Sequence, residues 1–564
     1  MQGSTPRHLR LTQWRSSRRR HQWSCSVCLA RNVHDETVEP APRREGSFSR
    51  PGRQAASGVS QSFNKGAAMT THACAILCIA LFCVSAPAED WTHYGRDEGR
   101  VSSSPLSLRP EDSIGAAQWT TSVGPGGESL AFLGQSSVVQ SGDNVVALGW
   151  VDGVFAAIDV FASTGAVRWW TPVAAPTLDS WSSPAIDANN QCVIVASATQ
   201  LQALDLQTGA VRWTANTQND IANASPMVTT DLGLRDRALI TDFGFSGQSG
   251  LLYAINVDPF DPVENPYQPG QIVWSVGVGP LSGASPARFE DKVIIATSDG
   301  RIAAYPIDTA APPEPVWESF NPTGLGFFGT ISVRGGFAYA ASYAFNGGQL
   351  AANLVKLDAS DGTVIWSTPS NRTDAIPIPT DDGHILLSSG LVGFGSMPSL
   401  QLFEDLGSSA SLLWDTFLDG GPTLGYWTHT PIVIESPHGL QAIVSEPPQG
   451  DPFGPAVRSV RVDLTKSPGQ PGFVIETLEG AGASAMGGGG RLYGIGPGGI
   501  VARVIPIAPC PADFNSSGTV DVFDIIAFLQ AYAANDPAAD LNNDGVIDFF
   551  DLQGFLGLFA SGCP

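Results

Sequence analysis

Apolar and polar positions alternate through the middle of the chain, and the alternation repeats. FAAIDVFASTGAVRW (Phe155 to Trp169) and LQALDLQTGAVRW (Leu201 to Trp213) share the form apolar-x-Ala-apolar-Asp, a short turn with Thr-Gly, then a strand ending in Trp. The run Thr-Gly-Ala-Val-Arg-Trp recurs after 44 residues. Looser copies lead from LLYAIN to Trp274, RIAAYPI to Trp317, LVKLDASDGTVIW to Trp366 and LQLFEDL to Trp414, and VRSVRVDL leads to Phe473 without a Trp. Upstream of most copies a small residue and proline open a strand: Ser183-Pro184, Ser225-Pro226, Ser285-Pro286 and Thr430-Pro431. Between the two lie apolar β stretches such as CVIVAS, KVIIATS and HILLSS. Proline at a strand's first residue loses no ladder hydrogen bond. Thr-Gly or Asp-Gly supplies the positive φ of a tight hairpin.

Each unit therefore predicts four short strands in about 40–60 residues, the period of a propeller blade. Seven units are complete. An eighth, GASAMGGGGRLYGIGPGGIVARVI, stops after three strands, and its fourth is expected from GAAQWTTSV, where Trp119 takes the repeat position. A strand borrowed from the other end closes the ring and removes an open sheet edge. The expectation is an all-β, eight-bladed propeller. Its repeating Trp should be structural, a large ring filling the gap to the next blade.

The chain ends on a different pattern. DFNSSGTVDVFD (Asp513 to Asp524) and DLNNDGVIDFFD (Asp540 to Asp551) stand 27 residues apart, with oxygen-bearing side chains at places one, three, five, nine and twelve and glycine at six. That is the spacing of a calcium loop, in which the seventh place offers its carbonyl and glycine permits the sharp turn. The first loop would ligate through Asp513, Asn515, Ser517, the Thr519 carbonyl, Asp521 and Asp524. The second would use Asp540, Asn542, Asp544, the Val546 carbonyl, Asp548 and Asp551. Two Ca2+ ions are expected, the second held more tightly because Asp544 replaces Ser517 and ligand charge raises affinity. The segments that follow, IIAFLQAYA and LQGFLGLF, have helical apolar spacing.

Charge narrows the setting. The 564 residues carry a formal −23, but twelve of the 30 basic and only four of the 53 acidic residues lie in 1–68. Beyond Ala88 that leaves 18 basic against 49 acidic, a surface that repels phosphate backbones and argues against a nucleic-acid partner. From Met69 an apolar run, Ala73 to Val84, precedes Ala86-Pro87-Ala88, the pattern of a signal peptide over 69–88. Twelve residues fall short of the ~20 needed to span a bilayer. The expected protein is secreted and not membrane-spanning, with 1–68 a disordered extension or a start-site artefact. Of the three cysteines beyond the leader, Cys192 lies in an apolar run, whereas Cys510 and Cys563 bracket the calcium loops and should pair in an oxidising compartment.

The x-Ala-x-Asp-x-x-Thr-Gly-x-x-x-Trp unit resembles the repeat of pyrroloquinoline-quinone-type eight-bladed propellers, and DWTHYGRD (Asp90 to Asp97) looks like the segment that opens many such domains. That resemblance covers 89–507 and implies the fold. Its dehydrogenases hold a vicinal cysteine disulfide against the quinone, and Cys192 is the propeller's one cysteine. The quinone is therefore a disfavoured cofactor. Other members are non-catalytic scaffolds and sugar- or protein-binding propellers. Residues 508–564 resemble the dockerin type I repeat, through Asp at the twelfth place and a helix only after each loop. Resemblance there implies a cohesin-like or cell-surface protein partner, read at Val522-Phe523 and Phe549-Phe550.

No HExxH or G-x-S-x-G pattern occurs, and Gly494-x-Gly496-x-x-Gly499 joins two strands with no helix after it. The places to look for a ligand are the loops leading into the proline-opened strands, which edge the central channel. They carry Asp179 and Trp181, Asp220 and Asn223, Phe327 and Phe328, Arg372 and Asp374, and Tyr426, Trp427 and His429. Aromatic faces beside amides and carboxylates suit a carbohydrate or an exposed peptide, unless the rings serve to plug the channel or pack the loops. The expected protein is thus a secreted, non-catalytic binding or scaffold propeller attached outside the cell by its calcium module. The alternatives are a quinone-dependent dehydrogenase and a dockerin-delivered polysaccharide-acting protein.

Overall fold

The computed structural model describes residues 90–132, 136–176, 182–244, 249–280, 283–343, 352–391, 397–448, 454–488, 490–506, 512–515, 520, 522–542 and 545–561. The extension and signal peptide expected over 1–88 lie outside the described residues.

Eight sheets follow one another along the chain, antiparallel except where Ser103–Ser104 joins Ile432–Ser436 in parallel. Blade 4 is typical, with Ala287–Phe289, Lys292–Ala296, Arg301–Pro306 and Trp317–Phe320 in order from the innermost strand outward. In blade 2 the two middle strands form one extended run, Cys192–Asp205, which doubles back at Ala198 (φ 50°). Its ends meet where the Leu206 N–H donates to the Gln191 carbonyl at 3.0 Å. The last blade holds Gly482–Gly487, Arg491–Gly496 and Gly499–Val504, and its outer strand is Trp119–Thr121, paired Trp119 to Ala502 and Thr121 to Ile500. The ring closes as the sequence predicts, by a strand from the other end of the propeller.

Neighbouring blades are joined twice. At the rim, the repeat Trp donates its indole N–H to the next blade's backbone: Trp119 to Ala162 at 3.0 Å, Trp169 to Leu206 at 3.1 Å, Trp317 to Ala359 at 3.1 Å. Its ring lies on the next Thr-Gly turn so closely that a Cβ at Gly209 would stand 2.5 Å from a Trp169 ring carbon. Gly209 also needs φ +69°. Two independent demands therefore select glycine there, and the hydroxyl two residues past the Trp adds a third bond, Thr171 Oγ1 to the Gly209 carbonyl at 2.7 Å. At the channel, the Ser or Thr that leads into the innermost strand, before a proline in blades 2, 3 and 4, takes the other part. Ser137 N–H donates to Ser183 Oγ (2.8 Å), Ser183 N–H to Ser225 Oγ (2.9 Å), Ser225 N–H to Ser285 Oγ (2.9 Å), and Ser285 N–H to Thr330 Oγ1 (3.3 Å). A belt of hydroxyls thus links successive blades where proline itself has no N–H to offer.

The innermost strands face the channel with unpaired N–H groups, and the segment Asp90–Ser104 satisfies them. Gln140, Ile186, Arg288, Val333 and Val433 donate their N–H to the carbonyls of Trp91, Thr92, Glu98, Gly99 and Ser102 at 2.8–2.9 Å, and Val228 donates to His93 Nε2 at 3.0 Å. Six blades are tied to one strap. Arg100 is buried at its centre, bonded to the carbonyls of Tyr94, Ser225, Pro226 and Pro286 at 2.9–3.0 Å. Burial lowers its guanidinium to about 10, and burial with Arg100 nearby lowers His93 to about 3, so that His93 is a neutral acceptor.

Beyond the propeller two helices, Val522–Ala534 and Phe549–Ser561, pack through Phe528 and Phe555, whose rings stack 4.1 Å apart and 2° from parallel. These two residues are themselves 27 apart, so the core repeats the period of the loops. Among the described residues no helix is long and apolar enough to cross a membrane.

The rim clasp generates a prediction. Trp317→Ala removes a buried ring and should cost about 3–5 kcal/mol. Trp317→Phe keeps a ring and loses only the indole hydrogen bond, about 0.5–1.5 kcal/mol. Urea denaturation of the two variants measures both, and equal losses would show that the ring does not carry the contact.

Candidate functional site

The lead-in loops supply one cluster. Asp374 is fastened to the next blade by its N–H, which donates to the Trp427 carbonyl at 2.7 Å. Thr373 Oγ1 donates to the carbonyls of Ser388 (2.6 Å) and Trp427 (3.1 Å), and Ser388 Oγ to that of Tyr426 (2.8 Å). Gly329, from the preceding lead-in loop, abuts this backbone, since a Cβ there would be 2.6 Å from the Asp374 carbonyl oxygen. Several small contacts therefore hold the loop rigidly.

Aromatic rings are interlocked around it. Tyr343 lies 5.6 Å from Phe328 and 5.2 Å from Trp427 between ring centroids, and Tyr426 lies 6.1 Å from His429. The Arg372 guanidinium carbon is 5.8 Å from the Tyr343 centroid. Arg372, Tyr426, Trp427 and His429 are all buried. The open aromatic face expected from the sequence is therefore a packed tile of rings, the arrangement in which they pack the loops. Burial raises the Tyr426 hydroxyl to about 12 and Tyr343 still further, so both remain neutral donors.

Asp374 is the exception within the tile. Its side chain is half-buried, and its Oδ1 is fully enclosed with no hydrogen-bond partner among the described residues. Loss of hydration raises the carboxyl to about 8. The other predicted positions lie elsewhere. Asp220 and Asn223 are half-buried in the lead-in to blade 3, where the Asp220 carbonyl accepts from Phe243 N–H at 2.7 Å and Asn223 adopts φ 67°. Asp179 and Trp181 lie outside the described residues. Sequence reasoning missed Tyr343, which lies in no repeat position, and the strap. The paired Gly-Arg dipeptides of that strap, Gly95-Arg96 and Gly99-Arg100, were the available signal.

In the C-terminal module, Asp524 and Asp551 are buried in the first turns of their helices. Asp524 Oδ1 accepts from Asn515 N–H at 3.0 Å, and Asp551 Oδ1 from Leu541 and Asn542 at 2.9 and 3.2 Å. Each twelfth-place carboxylate thus draws its own loop back onto the helix, and the Asp548 N–H, donating to Asp551 Oδ2 at 2.8 Å, together with those of Asn542 and Leu541 holds Asp551 below the ordinary carboxylate range. Gly545, at the sixth place, has φ +84°. Asp513, Asp540, Val546 and Asp548 are also described. Ser517, Thr519, Asp521, Asp544, Cys510 and Cys563 lie outside the described residues, and among those described no three His, Cys, Asp or Glu converge as a metal group. Val522, Phe523, Phe549 and Phe550 are exposed, the two pairs at matching positions of the repeat.

Asp374 makes stability depend on pH. Its folded carboxyl binds a proton up to about 8, whereas the unfolded one releases it near ~3.9, so its favourable contribution is complete below that value and is lost as pH rises through 8. Asp159, raised to about 7 by burial, has the same sign. Melting curves of wild type and Asp374→Asn should therefore diverge between pH 5 and pH 9, the variant ahead at high pH by about 2 °C or more. Parallel curves would place the carboxyl in ordinary solvent.

Residues 109–258 match the family model described as outer membrane protein assembly factor BamB. No curated protein matches the chain. Among solved structures, BamB from Moraxella catarrhalis is 18% identical over 66% of this chain and 95% of its own, with a TM-score of 0.45. A europium-containing methanol dehydrogenase is 12% identical over 84% and 96%, with a TM-score of 0.50. The quinohemoprotein alcohol dehydrogenase ADHIIG from Pseudomonas putida HK5 is 11% identical over 75% and 81%, with a TM-score of 0.48. Residues 109–258 thus carry repeats of the BamB type, within an eight-bladed propeller.

Proposed function

We propose that the chain is an extracellular, non-catalytic binding propeller attached to its surroundings through a calcium-dependent, dockerin-like C-terminal module. The observation that carries this reading is the module's duplication. Loop, buried carboxylate, stacked Phe and exposed apolar pair all recur at one spacing, with Asp524, Phe528 and Val522-Phe523 matched by Asp551, Phe555 and Phe549-Phe550. The donors are hard oxygens, the sixth-place glycine has the positive φ its turn requires, and no basic residue follows Arg503, so Ca2+ fits the set. A small module gains stability from bound ions and from a Cys510–Cys563 bridge, and its exposed apolar pairs would contact a cohesin-like or cell-surface protein.

The fold itself selects neither this reading nor a quinone-dependent dehydrogenase, because an assembly factor and alcohol-oxidising enzymes both stand among the similar proteins. Against the enzyme stands the propeller's single cysteine, Cys192, buried with its thiol pushed up to about 12. Dye reduction that requires both added quinone and calcium would establish the enzyme instead.

Two ions per chain are expected in calorimetric titration. Asp551→Asn should weaken the tighter site at least tenfold and Asp524→Asn the other. Immobilised full-length protein should capture an envelope or secreted partner with calcium and release it to chelator, and the double variant Phe549→Ser/Phe550→Ser should capture none. Capture that persists in chelator would make the propeller the attachment element.

A further inference from the structure

The lead-in end of the channel is tiled, but its other end opens into a cavity of about 570 Å³. That volume lies within the range of about 300–1,000 Å³ common among ligand pockets. The strap forms its floor, between Thr92 and Val101, and the ends of the innermost strands of blades 2, 3 and 5 form its walls.

The floor has a built geometry. Arg96 has φ 82° and sits at the centre of a tight turn, closed by the Asp97 N–H donating to the Gly95 carbonyl at 3.2 Å. A non-glycine residue holds that strained conformation where the surroundings enforce it, and here it sets Arg96 in the cavity. Charges around it are matched. Arg96 stands 3.7 Å from Asp97, Arg288 pairs with Glu98 at 2.6 Å, and Arg334 pairs with Glu435 at 2.5 Å and Asp381 at 2.7 Å. Each pair is also anchored to backbone or hydroxyl. Asp97 Oδ1 accepts from Gly99 N–H at 2.9 Å, Arg96 Nη1 donates to the Ser103 carbonyl at 2.8 Å, and Arg334 Nη1 donates to Ser103 Oγ at 3.2 Å. On the facing wall Asn189 Nδ2 donates to the Thr230 carbonyl at 2.7 Å. Val101 and Val333 add apolar patches between these groups.

We propose that this cavity binds a neutral oligosaccharide, its hydroxyls read by the carboxylates of Asp97 and Glu98, the guanidiniums of Arg96 and Arg334, and the Asn189 amide. This rests on the reading of the propeller as a binding domain, names the ligand class, and moves the site from the lead-in loops to the strap. Charge argues against the other classes. A cationic side chain would meet the Arg96 and Arg334 guanidiniums, with the nearby carboxylates engaged. An anion would have to pass Asp231, Glu290, Asp291 and Asp381, exposed in the turns after the innermost strands of blades 3, 4 and 6. A sugar carries no charge, and its hydroxyls both donate and accept, so one ring can bridge a carboxylate and a guanidinium that stay paired. Its C–H faces suit Val101 and Val333.

The test titrates the full chain calorimetrically with cellotetraose, maltotetraose and N-acetylchitotetraose, with tetralysine as the charged comparison. At least one tetrasaccharide should bind with a Kd of about 1 mM or tighter. Raising NaCl from about 50 to about 500 mM should change that affinity less than about twofold, because no net charge is exchanged. Ala188→Trp brings a large ring into the cavity from an exposed turn position, and should weaken binding at least tenfold while keeping the wild-type melting transition. Asp97→Asn should weaken it at least threefold. No binding of any of the three sugars, an affinity unchanged in Ala188→Trp, or tetralysine binding that Ala188→Trp abolishes would each overturn the proposal. Should Ala188→Trp fail to fold, Asp97→Asn and the salt series on wild type decide alone. Calcium chelation should leave sugar binding unchanged, the sugar should be recovered intact, and quinone-dependent turnover is measured separately. Failure of the attachment reading or of the non-catalytic reading is therefore distinguishable from failure here.

Discussion

A four-stranded sheet cannot bury both faces alone, and everything else in this propeller depends on how each sheet is fastened to the next. The fastening is a single motif used repeatedly: a Trp ring laid on the neighbour's Thr-Gly or Asp-Gly turn, its N–H bonded to a backbone carbonyl beside that turn. Glycine and tryptophan are mutually required. The ring leaves no space for a Cβ, and the turn's positive φ would strain one anyway. Blade 7 departs from the motif: Glu476 stands in the register of the Trp and pairs with Arg461 at 2.8 Å, while Phe473, just after the turn glycine, receives the Trp414 ring of blade 6 edge to face at 5.5 Å.

The channel obeys the opposite constraint. Eight inner strands present backbone donors to a narrow space, and those donors need partners rather than room. Hydroxyls before the prolines serve the belt, and Asp90–Ser104 serves the wall, with Arg100 collecting carbonyls from two blades at once. A strap so bonded makes the channel a filled axle. Among the sequence-selected residues, Asp374 is the one whose carboxyl has an enclosed oxygen without a hydrogen-bond partner among the described residues.

The two functional proposals rest on different physics. The C-terminal module concentrates carboxylates with no basic residue among them, an arrangement that only cations relieve, and it keeps two apolar pairs in water. At Asp374 one carboxyl oxygen is enclosed, and the side chain is otherwise half-buried. At the strap's end of the channel, guanidiniums and carboxylates pair around a cavity. Calcium demands several oxygens in geometry, whereas a neutral sugar needs fixed donors and acceptors whose charges are matched. The first kind of demand is written in residue spacing, and the second arises only when distant loops meet.

That difference also separates what the sequence determined from what the tertiary structure decided. Blade number, the Trp-Gly pairing, the proline-opened strands and the closing strand at Trp119 were legible because each is a local pattern whose geometry follows from a few adjacent residues, copied many times. The two C-terminal helices were legible for the same reason, as apolar spacing copied once. The strap was not, because DWTHYGRDEGR has no period and its partners lie up to 336 residues away, as between Tyr94 and Thr430. Nor was the burial of Tyr426, Trp427 and His429, which depends on rings arriving from other blades, or the enclosure of Asp374 Oδ1. Whether a polar residue in a loop meets water or a neighbouring side chain is a property of packing between elements, and no periodicity along the chain encodes it.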